Sequence, residues 1–400
     1  MRAAVVGAGL AGLVAAWELR ATGAEVVLLE ARERVGGRVW SRRMANGAVV
    51  EMGAEYILHG NSAIRELVER HGLGFWDKGM RYGNREPRGG LGTDAGALAA
   101  AMRHVERALP SAPAGQSARA FLDGIEIDPG AREALIARTE ISSADSADVV
   151  GARDLAGLAH VDDEPAPGIA GGNGRLPEAL ATDLGAALRL GSPVERVAWT
   201  ESGVRLRSSG AELEADACVV AVPASVIGRI AFDPPLPDRL AGALAAVRYG
   251  QAAKLFVPLA DAAAPPSAVM SVPERYWCWT ATGGGPAIQP VVSSFAGSPA
   301  ALAALEVERG PERWLASLAR LRPDLPLDPG GALLSTWSDD PWVGAAYSTS
   351  PPSELAELCA RGAGRLAFAG EHAGGDFAAL MEGAVRSGRR AASALVAPSG

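Results

Sequence analysis

A glycine-rich turn between two apolar strands at the N-terminus sets narrow limits on the fold of this chain. Its pattern predicts a strand, a turn, a helix and a second strand over 2–6, 7–9, 10–21 and 25–29. The glycines follow the spacing GxGxxG at Gly7, Gly9 and Gly12, and Glu30 ends the second strand. In such a unit the glycines let the backbone approach a pyrophosphate, and the acid accepts hydrogen bonds from a ribose. The sequence therefore predicts an adenine dinucleotide site.

Charge and cysteine content exclude several classes of function. The 400 residues include 38 Lys and Arg against 46 Asp and Glu, so no general basic field attracts nucleic acid or an anionic membrane. Cys218, Cys278 and Cys359 form no CxxC pair, which argues against a zinc site or a disulfide framework and favours a reducing compartment. No apolar stretch reaches the roughly 18 residues that span a bilayer. We therefore predict a cytoplasmic protein without a metal, nucleic-acid or membrane partner.

A second glycine turn follows the second strand at once. Residues 28–38 read LLEARERVGGR, so Arg38 closes the turn. A nicotinamide-binding fold does not need this second turn. The segment resembles the LEAR…GGR motif of the flavin-containing amine oxidase family, which wraps around the FAD diphosphate. The resemblance implies that Arg38 contacts the diphosphate and that Glu30 contacts the adenosine ribose.

Two later segments resemble the same family. Residues 370–375 read GEHAGG and precede a helix predicted from Met381 to about residue 396, as in the family's closing signature. The resemblance places Gly370 in the cofactor site, Glu371 on the ribityl chain and the Met381 N–H on flavin O2. A helix N-terminus suits a reduced flavin because it presents partial positive charge to a negative ring. Val194 matches the segment that lies against the adenine.

Lys254 is the only charged residue in the strand AAKLFV, residues 252–257, and two explanations are open. A lysine on an edge strand prevents strand-to-strand aggregation. In the family, a lysine at this position holds a water against flavin N5. We favour the second explanation because lysine is rarely buried without a reason and because Tyr249 and Gly250 also match the family.

Further residues are predicted on the substrate side of the flavin. The resemblance implies catalytic roles for Tyr347 and Trp337, beside Lys254, and places Tyr56 near the flavin ring. Glu55 either attracts a cationic substrate or is an exposed carboxylate at a strand end.

Two departures from the family concern the same region. Ala346 stands where some members carry a cysteine bonded to the flavin, so we predict FAD that is held non-covalently. Leu380 replaces the second tyrosine of the monoamine oxidase substrate cage, so half of that cage is missing. This departure speaks against simple monoamine oxidation.

The segment 75–170 has helical spacing and contains an arginine-rich loop over 79–92. We predict a helical insertion. The arginines of the loop either bind a substrate anion or are solvated, and we favour the solvated loop.

The resemblance extends over nearly the whole chain and implies two interleaved domains. The predicted class is α/β, with a Rossmann-like FAD-binding domain assembled from discontinuous segments and an α+β substrate-binding domain between them. The FAD-binding domain is predicted over 1–75, 171–245 and 335–400, and the substrate-binding domain over 76–170 and 246–334.

The implied activity is FAD-dependent oxidation of a small amine or amino acid. Hydride transfer to flavin N5 gives an imine that water hydrolyses, and O2 reoxidises the flavin with release of H2O2. One alternative is desaturation of a C–C or ring bond, as in protoporphyrinogen oxidases and carotenoid desaturases. Another is a non-catalytic interaction protein like the Rab GDP-dissociation inhibitors. Lys254 and Tyr347 favour the amine, while Arg38 and Glu371 argue against a protein that has lost its flavin.

Overall fold

A computed structural model describes residues 1–159, 164–260, 265–283 and 286–396. Its helices, in chain order, are α1 Leu10–Ala21, α2 Ser62–Arg70, α3 Ala95–Ala108, α4 Ala118–Asp123, α5 Pro129–Ser143, α6 Leu155–Leu158, α7 Arg175–Leu184, α8 Asp238–Ala245, α9 Pro299–Ala304, α10 Glu312–Leu321, α11 Leu355–Arg361 and α12 Met381–Val396. Its strands are β1 Arg2–Val6, β2 Glu25–Leu29, β3 Ser41–Arg43, β4 Val49–Glu51, β5 Phe75–Trp76, β6 Glu86–Arg88, β7 Gly168–Ile169, β8 Leu188–Arg189, β9 Val194–Trp199, β10 Val204–Ser208, β11 Ala211–Ala215, β12 Ala217–Val220, β13 Ala231–Asp233, β14 Arg248–Tyr249, β15 Ala252–Pro258, β16 Ser267–Ser271, β17 Tyr276–Thr280, β18 Val291–Gly297, β19 Leu333–Thr336, β20 Ser348–Thr349 and β21 Leu366–Phe368.

A five-stranded parallel sheet, in the order β21-β12-β1-β2-β8, organises the N-terminal glycine turn. Its strands are apolar on both faces because both faces are covered. Ala3 and Val5 face a core that contains residues of α1 and α12, and Ala4 and Val6 face a second core on the other side. The sheet therefore agrees with the predicted α/β class.

Helices α1 and α12 lie side by side on the first face of this sheet. They approach so closely that a Cβ atom on Gly388 would lie 2.4 Å from the carbonyl oxygen of Ala11. Glu382, in the first turn of α12, accepts hydrogen bonds from the backbone N–H groups of Ala63 and Ile64 at the start of α2. The far C-terminal helix thus ties together elements from the first part of the chain.

The second large sheet has six strands in the order β19-β15-β18-β17-β16-β6. Its pairs are antiparallel except for β16 and β6. Strand β15, which carries Lys254, lies between β19 and β18 and is buried at every position. The edge-strand explanation of Lys254 is therefore wrong. Strand β19 also crosses the predicted domain boundary at residue 335.

Helices α3 to α6 lie in the segment 75–170, in agreement with the predicted helical insertion. The prediction that the arginines of the 79–92 loop are solvated is wrong for Arg85. Residues 86–88 form β6 and join the six-stranded sheet. Arg85 is 1% exposed, with its guanidinium carbon 4.6 Å from the ring centre of Tyr82 and 4.9 Å from that of Trp277. Aromatic faces from this loop and from β17 attract the cation and replace its water.

None of the described helices combines the length and apolar character that a membrane crossing requires.

Candidate active site

A cavity of about 880 Å³ begins at the carboxyl ends of the parallel strands. The residues that follow β1, β2, β12 and β21 line it, as do residues of β15, β17 and β18 in the second sheet. Ligands of doubly wound sheets bind at this edge of the sheet. One continuous space thus joins the glycine turns to an aromatic region in the second sheet.

The glycine turn at one end of the cavity has the shape that a diphosphate needs. A Cβ atom on Gly12 would lie 1.9 Å from the carbonyl oxygen of Gly7, so close packing of α1 requires glycine there. Gly9 faces open space, and α1 begins after it without a side-chain cap. The first N–H groups of a helix lack partners within the helix and attract anions. These residues fit the predicted cofactor.

Glu30 lies on the cavity wall and is 4% exposed. Its carboxylate accepts hydrogen bonds from the backbone N–H groups of Ala8, at 2.7 Å, and Arg32, at 3.0 Å. These bonds fix the acid where the second strand meets the glycine turn. Val194 lines the same end of the cavity, at the start of β9. Both residues lie where an adenosine is predicted.

Arg38 and Glu371, predicted separately for the diphosphate and the ribityl chain, form an ion pair. Arg38 Nη1 lies 2.9 Å from Glu371 Oε1 and also donates to the carbonyl oxygen of Ala346 at 2.8 Å. Glu371 Oε2 accepts from the Ser348 hydroxyl and from the Ala379 N–H. Burial alone would raise the pKa of Glu371, but the charge of Arg38 and the hydrogen bond from Ser348 lower it below its ordinary value. The carboxylate is therefore ionised on the cavity wall.

Four further residues in or beside the closing signature differ in whether they line the cavity. Gly370, Leu380 and Met381 all line it, and Met381 begins α12 as predicted. His372 is buried behind the turn, and burial lowers its pKa to about 4. Its imidazole is therefore neutral at physiological pH.

Lys254 reaches the cavity from β15, and its ammonium group has two partners. Its Nζ atom donates to Glu55 Oε2 at 2.6 Å and to the carbonyl oxygen of Glu51 at 2.9 Å. Glu55 Oε1 accepts a hydrogen bond from a second ammonium group, that of Lys78, also at 2.6 Å. Burial would raise the pKa of Glu55, but Lys254 and Lys78 lower it. The predicted exposed carboxylate is thus wrong, and both oxygens of Glu55 are bound to lysines rather than free for a substrate cation.

Aromatic side chains line the end of the cavity beyond Lys254 and form a group that we call the aromatic chamber. Its members are Tyr56, Tyr82, Trp277, Trp279, Phe295 and Tyr347. The indole rings of Trp277 and Trp279 stack with their centres 4.2 Å apart. The Tyr347 hydroxyl donates to the carbonyl oxygen of Ser142 at 2.9 Å, which fixes that ring. Trp337 lines the cavity as well, and its indole N–H donates to the carbonyl oxygen of Met52 at 3.0 Å.

The sequence reading missed Lys78, Tyr82, Trp277 and Trp279. The signal for the two tryptophans was their alternation in YWCWT, because residues two apart on a strand share one face.

Among the described residues, no group of three or more histidine, cysteine or acidic side chains is arranged to hold a metal ion.

The chain is similar to known proteins in both sequence and fold. The family model for flavin-containing amine oxidoreductases matches residues 10–136 and 162–396. Polyamine oxidase 4 of Oryza sativa is 27% identical, over 97% of this chain and 87% of its own. Putrescine oxidase of Kocuria rosea is 30% identical, over 58% of this chain and 59% of its own. A solved structure of a redesigned putrescine oxidase superposes with a TM-score of 0.84 at 23% identity, over 99% of both chains.

Proposed function

Because the chain belongs to the flavin-containing amine oxidoreductases, we propose that it oxidises an amine by hydride transfer to FAD, with O2 as the final acceptor. The family's cofactor is FAD, which when bound accepts the hydride at N5 and passes two electrons to O2, giving H2O2. The oxidised substrate is an imine, which water hydrolyses to a carbonyl compound and an amine or ammonia. An enzyme that passes its electrons to an acceptor other than O2 would share only the hydride transfer.

One observation carries the proposal. The cavity that contains the glycine turns and the Arg38–Glu371 pair also contains the Lys254 ammonium and the aromatic chamber. A dinucleotide held by the glycine turns and extending toward the chamber would have Lys254 on the wall of the same cavity. In this arrangement Gly7, Gly9, Gly12, Glu30, Val194, Gly370 and Met381 belong to the cofactor site.

The aromatic chamber favours an amine substrate with a large apolar body. Tyr56, Trp277 and Tyr347 offer ring surface and exclude water, which orients a substrate and desolvates its amine. Arg85 lies on the faces of Tyr82 and Trp277, so a cation of the protein already uses those ring faces. We therefore propose that the chamber binds the hydrocarbon part of the substrate rather than a second ammonium group.

The function is tested by anaerobic reduction of the bound flavin. The purified enzyme is mixed without O2 with bulky amines, secondary amines, diamines and amino acids, and the loss of flavin absorbance is recorded. We expect the amines with a large apolar body to reduce the flavin fastest. Failure of every amine and amino acid, with a flavin that dithionite still reduces, would contradict the proposal and favour a desaturase.

Leu380 lines the cavity where a second tyrosine is absent, so the space over the predicted flavin ring is wide and apolar. We expect Leu380→Tyr to raise kcat/KM for benzylamine relative to a bulky secondary amine by about tenfold, the scale for a change of one or two groups in an apolar pocket. Steady-state kinetics with both substrates give this ratio. Leu380→Met, which preserves the volume, is the control. An unchanged ratio in Leu380→Tyr would mean that this side chain does not face the substrate.

We further propose a reducing compartment and two interleaved domains. Cys218, Cys278 and Cys359 are buried and unpaired, which supports the cytoplasm. The parallel sheet and the six-stranded sheet support the division into an FAD-binding and a substrate-binding domain, with the exchange of chain near residues 75, 171, 245 and 335.

A further inference from the structure

Lys78 and Lys254 are the only lysines of a chain in which Lys and Arg together number 38. Both bind the same carboxylate. Lys78 Nζ lies 2.6 Å from Glu55 Oε1, and Lys254 Nζ lies 2.6 Å from Glu55 Oε2. We call these three residues the lysine bridge. All the other residues in that count are arginines, so the two lysines mark one place in the molecule.

The bridge uses one oxygen of the carboxylate for each cation. An ammonium is a compact charge that binds one carboxylate oxygen, so Glu55 joins two lysines. Glu140 joins Arg119 and Arg275 in the same way, one on each oxygen, so this arrangement does not itself require lysine. The bridge is shielded from water, because the side chains of Lys254, Glu55 and Lys78 are 7%, 11% and 13% exposed.

The two ends of the bridge lie in different surroundings. Lys254 lines the large cavity, with a second hydrogen bond to the carbonyl oxygen of Glu51. Lys78 lines a separate cavity of about 40 Å³ and lies 5.3 Å from the ring centre of Tyr56. Lys78 thus stands behind Glu55 as seen from the large cavity.

One other carboxylate faces the bridge among the described residues. Glu51 accepts hydrogen bonds from the Ser41 hydroxyl at 2.7 Å and from the Asn173 N–H at 2.8 Å. Burial and the charge of Glu55 raise the pKa of Glu51. Glu51 therefore has hydrogen-bond partners of its own, and the two lysine ammonium groups bind the carboxylate of Glu55.

We infer that Glu55 and Lys78 are positioning residues for Lys254. Glu55 holds the Lys254 ammonium toward the large cavity, and Lys78 balances Glu55 so that the charge of Lys254 is not cancelled. The bridge as a whole then carries one net positive charge beside the site of the flavin ring. This inference rests on the proposed function for the placement of FAD near Lys254, and it assigns a role to Lys78 that Lys254 alone does not explain.

The test is the midpoint potential of the bound flavin, measured with reference dyes during anaerobic reduction by dithionite. Reduced flavin is anionic, so removal of a positive charge disfavours it. We expect Lys78→Met to lower the equilibrium ratio of reduced to oxidised flavin about tenfold, which corresponds to about 30 mV for a two-electron couple. We expect Glu55→Gln to shift the potential in the opposite direction by a similar amount. The double variant should return close to the parent because its bridge again carries one positive charge.

Arg322→Met is the matched control, because Arg322 is a buried cation that is paired with Asp324 and lines neither cavity. It should leave the potential unchanged. An unchanged potential in Lys78→Met, shifts of the same sign in Lys78→Met and Glu55→Gln, or an equal shift in Arg322→Met would each overturn the inference. If Glu55→Gln does not fold, the Lys78→Met and Arg322→Met pair decides. The measurement needs no amine, so a failure of the proposed substrate class is seen separately, in the anaerobic reduction by amines.

Discussion

Lys254→Met should slow the reoxidation of reduced flavin by O2 by roughly a hundredfold, the scale for loss of one preorganised electrostatic contact. Negative charge develops on oxygen only in this half-reaction, and Lys254 brings a buried ammonium to the cavity where it develops. Methionine has a similar length but no charge. Anaerobic reduction by the amine should change much less, because a neutral amine transfers its hydride without building the same charge.

Stopped-flow absorbance separates the two half-reactions. Equal losses in both would mean that Lys254 has a structural role. A parent enzyme that reacts slowly with O2 but rapidly with an artificial dye would contradict the oxidase proposal and favour a dehydrogenase. Since the variant removes the cation from Glu55 Oε2 and from the carbonyl oxygen of Glu51, its melting temperature should be measured beside the rates.

Arg38→Ala should weaken FAD binding by about 1–3 kcal/mol, the scale for loss of a charge-assisted contact, or roughly 5–150-fold in Kd. The variant loses the predicted contact with the diphosphate and also leaves the buried Glu371 carboxylate without its guanidinium partner. The measurement is FAD titration of the apoprotein, followed by fluorescence.

Because Ala346 offers no thiol, acid precipitation should release all the FAD into the supernatant and so count the occupied sites. Colour that stays in the pellet would contradict non-covalent binding.

The effect of Arg38→Ala should depend on pH in a defined direction. In the parent, Arg38 helps to hold the pKa of Glu371 below its ordinary value, so the stabilisation from this pair is present above the unfolded pKa and is lost as pH falls through the folded pKa. In the variant, burial without the guanidinium raises that pKa, and protonation at pH 5 relieves the unpaired charge. The difference in FAD affinity between parent and variant should therefore be smaller at pH 5 than at pH 8. Arg38→Lys, which keeps the charge, should lose less affinity, and an unchanged Kd in Arg38→Ala would move the diphosphate elsewhere.

The nucleotide end of the site could be predicted from the sequence because its constraints are local. Gly12 has no room for a side chain beside Gly7, and Glu30 follows its strand directly. A pattern over some thirty residues contains all of this. The closing signature before Met381 is equally local, since a strand, a turn and a helix start follow one another.

The surroundings of Lys254 could not be predicted in the same way. Its partner Glu55 and the second lysine, Lys78, come from distant segments that only the packed sheets bring together. The error in the 79–92 loop has the same origin, because Trp277 lies on β17, far along the chain from Arg85. The scarcity of lysine was a signal that the sequence did contain, and it would have directed attention to Lys78.

The position of β21 and α12 in the parallel sheet has a consequence for the order in which this protein can fold during synthesis. Strand β1 pairs with β12, and β12 pairs with β21, while α1 needs α12 to cover it. A ribosome that has made the first hundred residues has therefore made β1 and β2, but not yet β12 or β21. The apolar side of α1 therefore lacks the cover that α12 provides until α12 has emerged. The nascent chain must carry this uncovered surface over several hundred residues of synthesis, which is a situation in which molecular chaperones bind.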